Sequence, residues 1–222
     1  MNKYKTNKLS IDVGFKVNTA DVLKSVQDTN VTLLGLPDNL FKAIDYKTTS
    51  AMIGAIFCQN IAEQTNSIVN PIEKGHPDVI PRAGMNCDEK TLKAYPQGLE
   101  IKCTIGNITQ GANLRAGAER VSSLTGLTWQ AHHREVRELL ALVWDFVEVG
   151  SEEAFNYPII TGAFYSSELK EEDWGAISGT TGRNTKVSAM VASGKHKLGD
   201  GWVLLLDKNN YLLRYKSLLK IV

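Results

Sequence analysis

Apolar residues recur along the chain with two periods, one helical and one of two residues. Asn18, Thr19, Ala20 and Asp21 followed by Val22, Leu23 and Val26 predict a capped, short amphipathic helix. Leu36, Pro37, Asp38 and Asn39 start another short helical stretch through Phe41 and Ile44. From Ser50 to about Gln64, Met52, Ile53, Ile56, Phe57 and Ile61 repeat on one face and predict a stronger helix. Asn70 to Gly75 reads as a turn-rich connector, His76 to Ile80 as a short β-like segment closed by Pro81, and residues 82–98 as loop. The segment from Gly98 to Ile105 alternates: Leu99, Ile101, Cys103 and Ile105 point one way, and Glu100, Lys102 and Thr104 the other. A helix is predicted from Asn113 to Leu124, and buried strands over Leu139 to Val149 and Pro158 to Tyr165. Ser167 to Trp174 reads as a capped acidic helix. Val187 to Ala192 and Trp202 to Leu206 read as strands, and a turn at Lys208 to Asn210 leads into Tyr211 to Tyr215. Interleaved helices and strands predict an α/β class with a central mixed β-sheet flanked by helices.

The 222 residues suit one domain, read as a helical part over 1–70, a core over 71–166 and a C-terminal part over 167–222. At 43% hydrophobic and 22% charged the chain is globular in composition, which excludes a disordered tract, a collagen or a coiled coil. The longest apolar runs fall far short of the roughly 20 residues of a membrane span, so no membrane partner is expected. Cys58, Cys87 and Cys103 are widely spaced, which argues against a disulfide framework or structural zinc site and predicts a reducing, cytoplasmic setting.

The net charge of +1 hides segregation. Residues 151–176 hold five glutamates and Asp173 against Lys170, whereas 177–222 hold eight Lys and Arg against Asp200 and Asp207. Such an arrangement can give a neutral protein a basic face.

The informative stretch is 76–102. Pro77 and Asp78 are followed, after 21 intervening residues, by Glu100, Ile101 and Lys102. On a strand, Glu100 and Lys102 project from the same side, about 7 Å apart. If the segment bearing Asp78 pairs with that strand, two carboxylates and an amine converge. Phosphodiester hydrolysis needs such a set. A divalent cation neutralises the phosphate and acidifies a water, and Mg²⁺ prefers one or two carboxylates plus waters and substrate phosphate. Asp78 and Glu100 would supply carboxylate ligands, with the Ile101 carbonyl as a third oxygen. Lys102 would orient or help deprotonate the attacking water and stabilise developing negative charge.

In these residues the sequence resembles the PD-(D/E)xK nuclease superfamily, and within it the type II restriction endonucleases. The resemblance implies a restriction-endonuclease-like fold. It also implies a Mg²⁺-dependent endonuclease on double-stranded DNA, acting as a homodimer at a short specific sequence in a prokaryotic cytoplasm. In this superfamily the helix before the first catalytic strand often contributes a further carboxylate, and Glu63 occupies that location; Glu73, in the turn, ranks below it. His76 is a candidate contact to phosphate or water, with an ordinary strand-edge histidine as the alternative. His132 and His133 lack zinc-site spacing. DNA contacts are expected from Asn107, Thr109, Gln110, Asn113 and Arg115 after the catalytic strand, and from the Ser178 to Lys186 loop. There Arg183 and Asn184 would read bases, while Lys186, Lys195 and Lys197 would meet phosphates. The alternatives are a repair or junction-resolving nuclease on the same scaffold and a non-catalytic DNA-binding protein.

Overall fold

The computed structural model of the chain describes residues 2–73, 75–105, 128–130, 138–149, 155–176, 178–179 and 186–219. Three short strands open it: β1 (Tyr4–Thr6), β2 (Ser10–Asp12) and β3 (Lys16–Asn18), the last two forming an antiparallel hairpin. Asn18 then caps α1 (Thr19–Leu34). Its Oδ1 accepts from the N–H groups of Ala20 and Asp21, and the Asp21 carboxylate accepts from the Asn18 N–H. This reciprocal pair fixes the helix start where the sequence predicts it. The predicted short helix is α2 (Asp38–Ala43). α3 (Tyr46–Gln64) begins a turn before the predicted start, because the Asp45 carboxylate caps it by accepting from the Thr48 N–H.

β4 (Ile68–Val69) and β5 (Val79–Ile80) pair as a small ribbon. The expected loop after it contains a 3₁₀ turn over Arg82–Asn86 and a single-turn helix α4 (Glu89–Leu92), capped by Asp88. β6 (Glu100–Ile105), β7 (Thr128–Gln130), β8 (Leu139–Val149) and β9 (Phe155–Ser166) follow. Next come β10 (Ser178–Gly179), β11 (Lys186–Ala189), α5 (Ala192–Asp200), β12 (Trp202–Leu206) and α6 (Asn209–Leu219).

Two expectations are corrected in this half. The acidic stretch before Trp174 forms only a 3₁₀ turn, Glu171–Asp173. The Asp173 carboxylate turns back to accept from the Lys170 N–H and is held there by other partners, and Trp174 leaves the turn to bridge Met190. The strand predicted to reach Ala192 stops at Ala189, and Ala192 starts α5. That helix contains Gly194 and Gly199, poor helix formers. Packing selects it: Gly194 lies so close to Asp173 and Met190 that a Cβ would meet both. Tyr211 and Tyr215, one helical turn apart, are the buried stripe of α6. The helix predicted over Asn113 to Leu124 lies outside the described residues.

Five strands form the main sheet, in the order β1-β12-β9-β8-β6. All its pairs are antiparallel except β6 with β8, so the sheet is mixed. Its strands come from the N-terminal, middle and C-terminal parts of the chain alike. Along β8, Leu140, Leu142 and Trp144 pack with α1 and α3, while Leu139, Ala141 and Val143 pack with Leu198 of α5 and Tyr211 and Tyr215 of α6. The sheet is thus apolar on both faces and covered by helices on both, as near-continuous hydrophobic runs require. Polar groups fix the helices in register. The Asn30 Oδ1 accepts from the Ile160 N–H at 3.0 Å, and the Trp144 indole N–H donates to the Ser50 Oγ at 2.8 Å. This α/β architecture, a mixed sheet flanked by helices, is the expected class. No helix among the described residues is long and apolar enough to cross a membrane.

Candidate functional site

β6 is an edge strand of the main sheet. Its inner side bonds β8: the Glu100 N–H donates to the Glu138 carbonyl at 2.9 Å. On its outer side the β5 segment joins it. Val79 and Leu99 exchange both backbone hydrogen bonds, at 3.1 and 2.8 Å. Gly98 permits this approach. It has φ +144°, and a Cβ there would overlap the Val79 carbonyl oxygen. The pairing that the sequence could pose only as a condition is therefore made, and it brings Asp78 against β6. The Asp78 Oδ2 accepts from the Ile101 N–H at 2.8 Å. In a strand, N–H and C=O of one residue project toward the same edge, so the Ile101 carbonyl also faces outward, away from β8.

Asp78, Glu100, Ile101 and Lys102 line one cleft of about 580 Å³. Ser50, Ala51, Gly54, Ala55 and Cys58 of α3 form one wall, and Asn70, Gly75 and His76 form another. The α3 wall is made of small side chains. Glu100 is only 2% exposed. The polar side of β6 is therefore not a solvated strand face but the floor of a cavity. The His76 Nδ1 lies 3.3 Å from the Glu100 Oε2.

The electrostatics follow from burial. The Asp78 carboxyl is pushed up to about 7 by desolvation and by Glu100 beside it, against the opposing pull of the Ile101 N–H, His76 and Lys102. Burial lowers the Lys102 pKa, and the Asp78 and Glu100 carboxylates oppose that shift. His76 is raised, chiefly by its bond to Glu100. Cys58 and Cys103 also line the cleft, but burial raises both thiols, Cys103 to about 12. They are poor nucleophiles and poor soft-metal ligands in that state. The chemistry available in the cleft is that of oxygen donors beside an amine.

Among the described residues, no group of three or more His, Cys, Asp or Glu side chains is arranged to hold a metal ion. A hard cation of the Mg²⁺ type needs less from the protein, taking one or two carboxylates and completing its shell with water and phosphate. Two adjacent carboxylates, Glu100 buried and Asp78 half-buried with its pKa raised to about 7, form a donor set that a divalent cation would relieve. The outward Ile101 carbonyl adds a third oxygen.

The remaining candidates distribute differently. Glu63 is exposed, accepts from the Gln59 side-chain amide at 2.8 Å and is absent from the cleft lining. At about 100° per residue it falls roughly 140° around α3 from Cys58, so the expectation of a further carboxylate there is corrected. Glu73 is exposed in the turn. Lys195 and Lys197 are on α5, which packs on the sheet face opposite α3. The Lys197 ammonium donates to the buried Asp173 Oδ2 at 2.7 Å and to the Glu168 carbonyl at 3.0 Å. Although burial alone would raise the Asp173 pKa, Lys197, Ser193 and the Lys170 N–H outweigh it and the carboxyl is lowered. The phosphate role expected for Lys197 is corrected to an internal counter-ion. Lys197→Ala is expected to cost about 3 kcal/mol by leaving a buried carboxylate unpaired; urea unfolding of the purified variant measures it. Asn107, Thr109, Gln110, Asn113, Arg115, Arg183 and Asn184 lie outside the described residues, as do His132 and His133, and Lys186 enters only through the backbone of β11.

Sequence reasoning missed Asn70, which it took for part of a turn. Asn70 is buried and bonds four backbone positions, including the carbonyls of Pro77 and Asp78. Its only local signal is its place before Pro71 and near Gly75. Compared with known proteins, the chain matches no family model, no curated protein and no solved structure.

Proposed function

We propose that this protein is a Mg²⁺-dependent endonuclease of the PD-(D/E)xK type, with a restriction-endonuclease-like core, hydrolysing phosphodiester bonds in double-stranded DNA at a short specific sequence. The observation that carries the reading is the Asp78 carboxylate fastened to the Ile101 N–H, with Glu100 and Lys102 beside it in one cleft. Asp78, Glu100 and the Ile101 carbonyl would hold the cation. When bound, Mg²⁺ supplies positive charge beside the scissile phosphate and makes nearby water more acidic. The Ile101 N–H keeps one Asp78 oxygen oriented, so the carboxylate is presented in a fixed direction. His76 restrains Glu100 in the same way. Lys102 donates toward the non-bridging phosphate oxygens, where negative charge grows in the transition state. Its burial favours passing a proton to or from water more readily than an exposed lysine would. The small residues of α3 leave room for a sugar–phosphate backbone against the floor.

Cutting both strands at one site calls for two such centres, and a homodimer in a prokaryotic cytoplasm supplies them within this reading. Incubation of the purified protein with a large plasmid and Mg²⁺ tests it. Discrete fragments, abolished by a chelator, are expected. A plasmid that stays supercoiled across the full Mg²⁺ range would remove the proposal. Cutting confined to branched or mismatched DNA would move it to a repair or junction-resolving nuclease.

A further inference from the structure

We infer that Asn70 is the positioning residue for Asp78, setting where its carboxylate meets β6. The inference rests on the nuclease reading and deepens it. The chain from His76 to Asp78 has no regular structure of its own before β5, yet its three successive carbonyls are all held. The Tyr95 N–H donates to the His76 carbonyl at 2.7 Å, the Asn70 Nδ2 to the Pro77 carbonyl at 3.1 Å, and the Asn70 N–H to the Asp78 carbonyl at 2.8 Å. Two of these three bonds come from one residue. The same Asn70 amide donates to the Leu92 carbonyl at 2.9 Å, which ties the segment to the end of α4. Asn70 is itself buried, and Gly75 packs against it so closely that a Cβ would overlap the amide group. The side chain therefore has one orientation, and its two donated bonds fix the direction from which Asp78 enters. Past Asp78 the Val79–Leu99 bridge takes over, and the Asp78 carboxylate lands on the Ile101 N–H.

Groups that orient ligating carboxylates affect metal affinity or activity by about 10–100-fold when removed. Asn70→Asp keeps the shape of the side chain but puts an acceptor where the donor was, losing both donated side-chain bonds. Gly75→Ala leaves Asn70 in place and displaces its amide. Both variants are expected to lower kcat for plasmid cleavage by about 10–100-fold and to raise the Mg²⁺ concentration for half-maximal rate, with KM for DNA little changed.

A second readout needs neither metal nor DNA. In the free protein the Ile101 amide is expected to exchange its hydrogen about tenfold faster in the variants, the worth of one bond to a charged group. The Glu100 amide, bonded to the Glu138 carbonyl, should keep its protection. A merely structural role would raise exchange at both. If the wild-type protein cuts plasmid but both variants show unchanged Mg²⁺ dependence and unchanged Ile101 protection, the inference is overturned. If Asn70→Asp does not fold, Gly75→Ala decides by the same two measurements. If the wild-type protein does not cut DNA at all, the nuclease reading fails and the inference goes with it.

Discussion

Asp78→Asn is expected to lose plasmid cleavage by at least about 10²–10³-fold while retaining DNA binding and fold. The amide is isosteric and can still accept the Ile101 N–H, so the β5–β6 junction stays assembled. What disappears is one of the two negative charges on the cleft floor. Glu100→Gln should have the same effect, since Glu100 is the more buried of the two. Lys102→Ala should also lose turnover more than binding, because the ammonium acts on charge that develops only in the transition state. Ca²⁺ should support DNA binding by the wild-type protein without turnover, as its larger and looser shell positions water poorly. Gel-shift assays in Ca²⁺ beside cleavage assays in Mg²⁺ separate the two effects. Normal cutting by Asp78→Asn or Lys102→Ala would show that the cleft performs some other task.

Without divalent cations, the wild-type protein is expected to lose stability relative to Asp78→Asn as pH rises from about 4 to about 7. The sign follows from the direction of the shift. The Asp78 carboxyl titrates near 4 in the unfolded chain and at about 7 in the folded one. Below pH 4 both states are protonated and nothing is lost. Between the two values the unfolded chain gives up its proton while the folded protein keeps it, so the unfolded state gains. Above about 7 the loss is complete, at most about 4 kcal/mol. Asp78→Asn has no such slope, so the difference between the two melting curves in a chelator isolates this group from other carboxylates. Asp45, Asp88 and Glu89, each lowered by a cap or an ion pair, act in the opposite direction and cancel in the comparison. Mg²⁺ near pH 8 should restore the wild-type melting temperature and leave Asp78→Asn unaffected, since a cation that binds only the folded protein stabilises it. Equal response of the two proteins to Mg²⁺ would place the cation elsewhere.

Both expectations depend on three side chains that the sequence already singled out, and the reason is local. A period of two makes Glu100 and Lys102 share a side of one strand whatever else the chain does, and the cap at Asn18 works between residues three apart. Buried strands read as apolar runs because both faces of β8 and β9 are covered. These signals depend on neighbours in the chain, so they survive without coordinates.

Other features have no local signature. Glu63 stands in the expected helix, but its direction depends on which face of α3 the sheet takes, and the face that lines the cleft carries small residues instead. Lys197 looks like one more surface lysine until α5 packs over the Glu171–Asp173 turn and delivers a buried carboxylate to it. α5 itself exists against the propensity of its glycines because Gly194 fits where no larger residue could.

The sequence alone determined that strands and helices interleave, where α1 begins, and that a carboxylate and an amine share one side of the strand from Glu100 to Ile105. Only the tertiary structure decided that Val79 bridges Leu99, that Asp78 therefore reaches the Ile101 N–H, and that Asn70 holds the two carbonyls leading there. Periodicity and caps are interactions among near neighbours, and composition records them. A hydrogen bond between residues 23 apart forms only when the intervening chain returns to the same edge, and no pattern in either segment encodes that return.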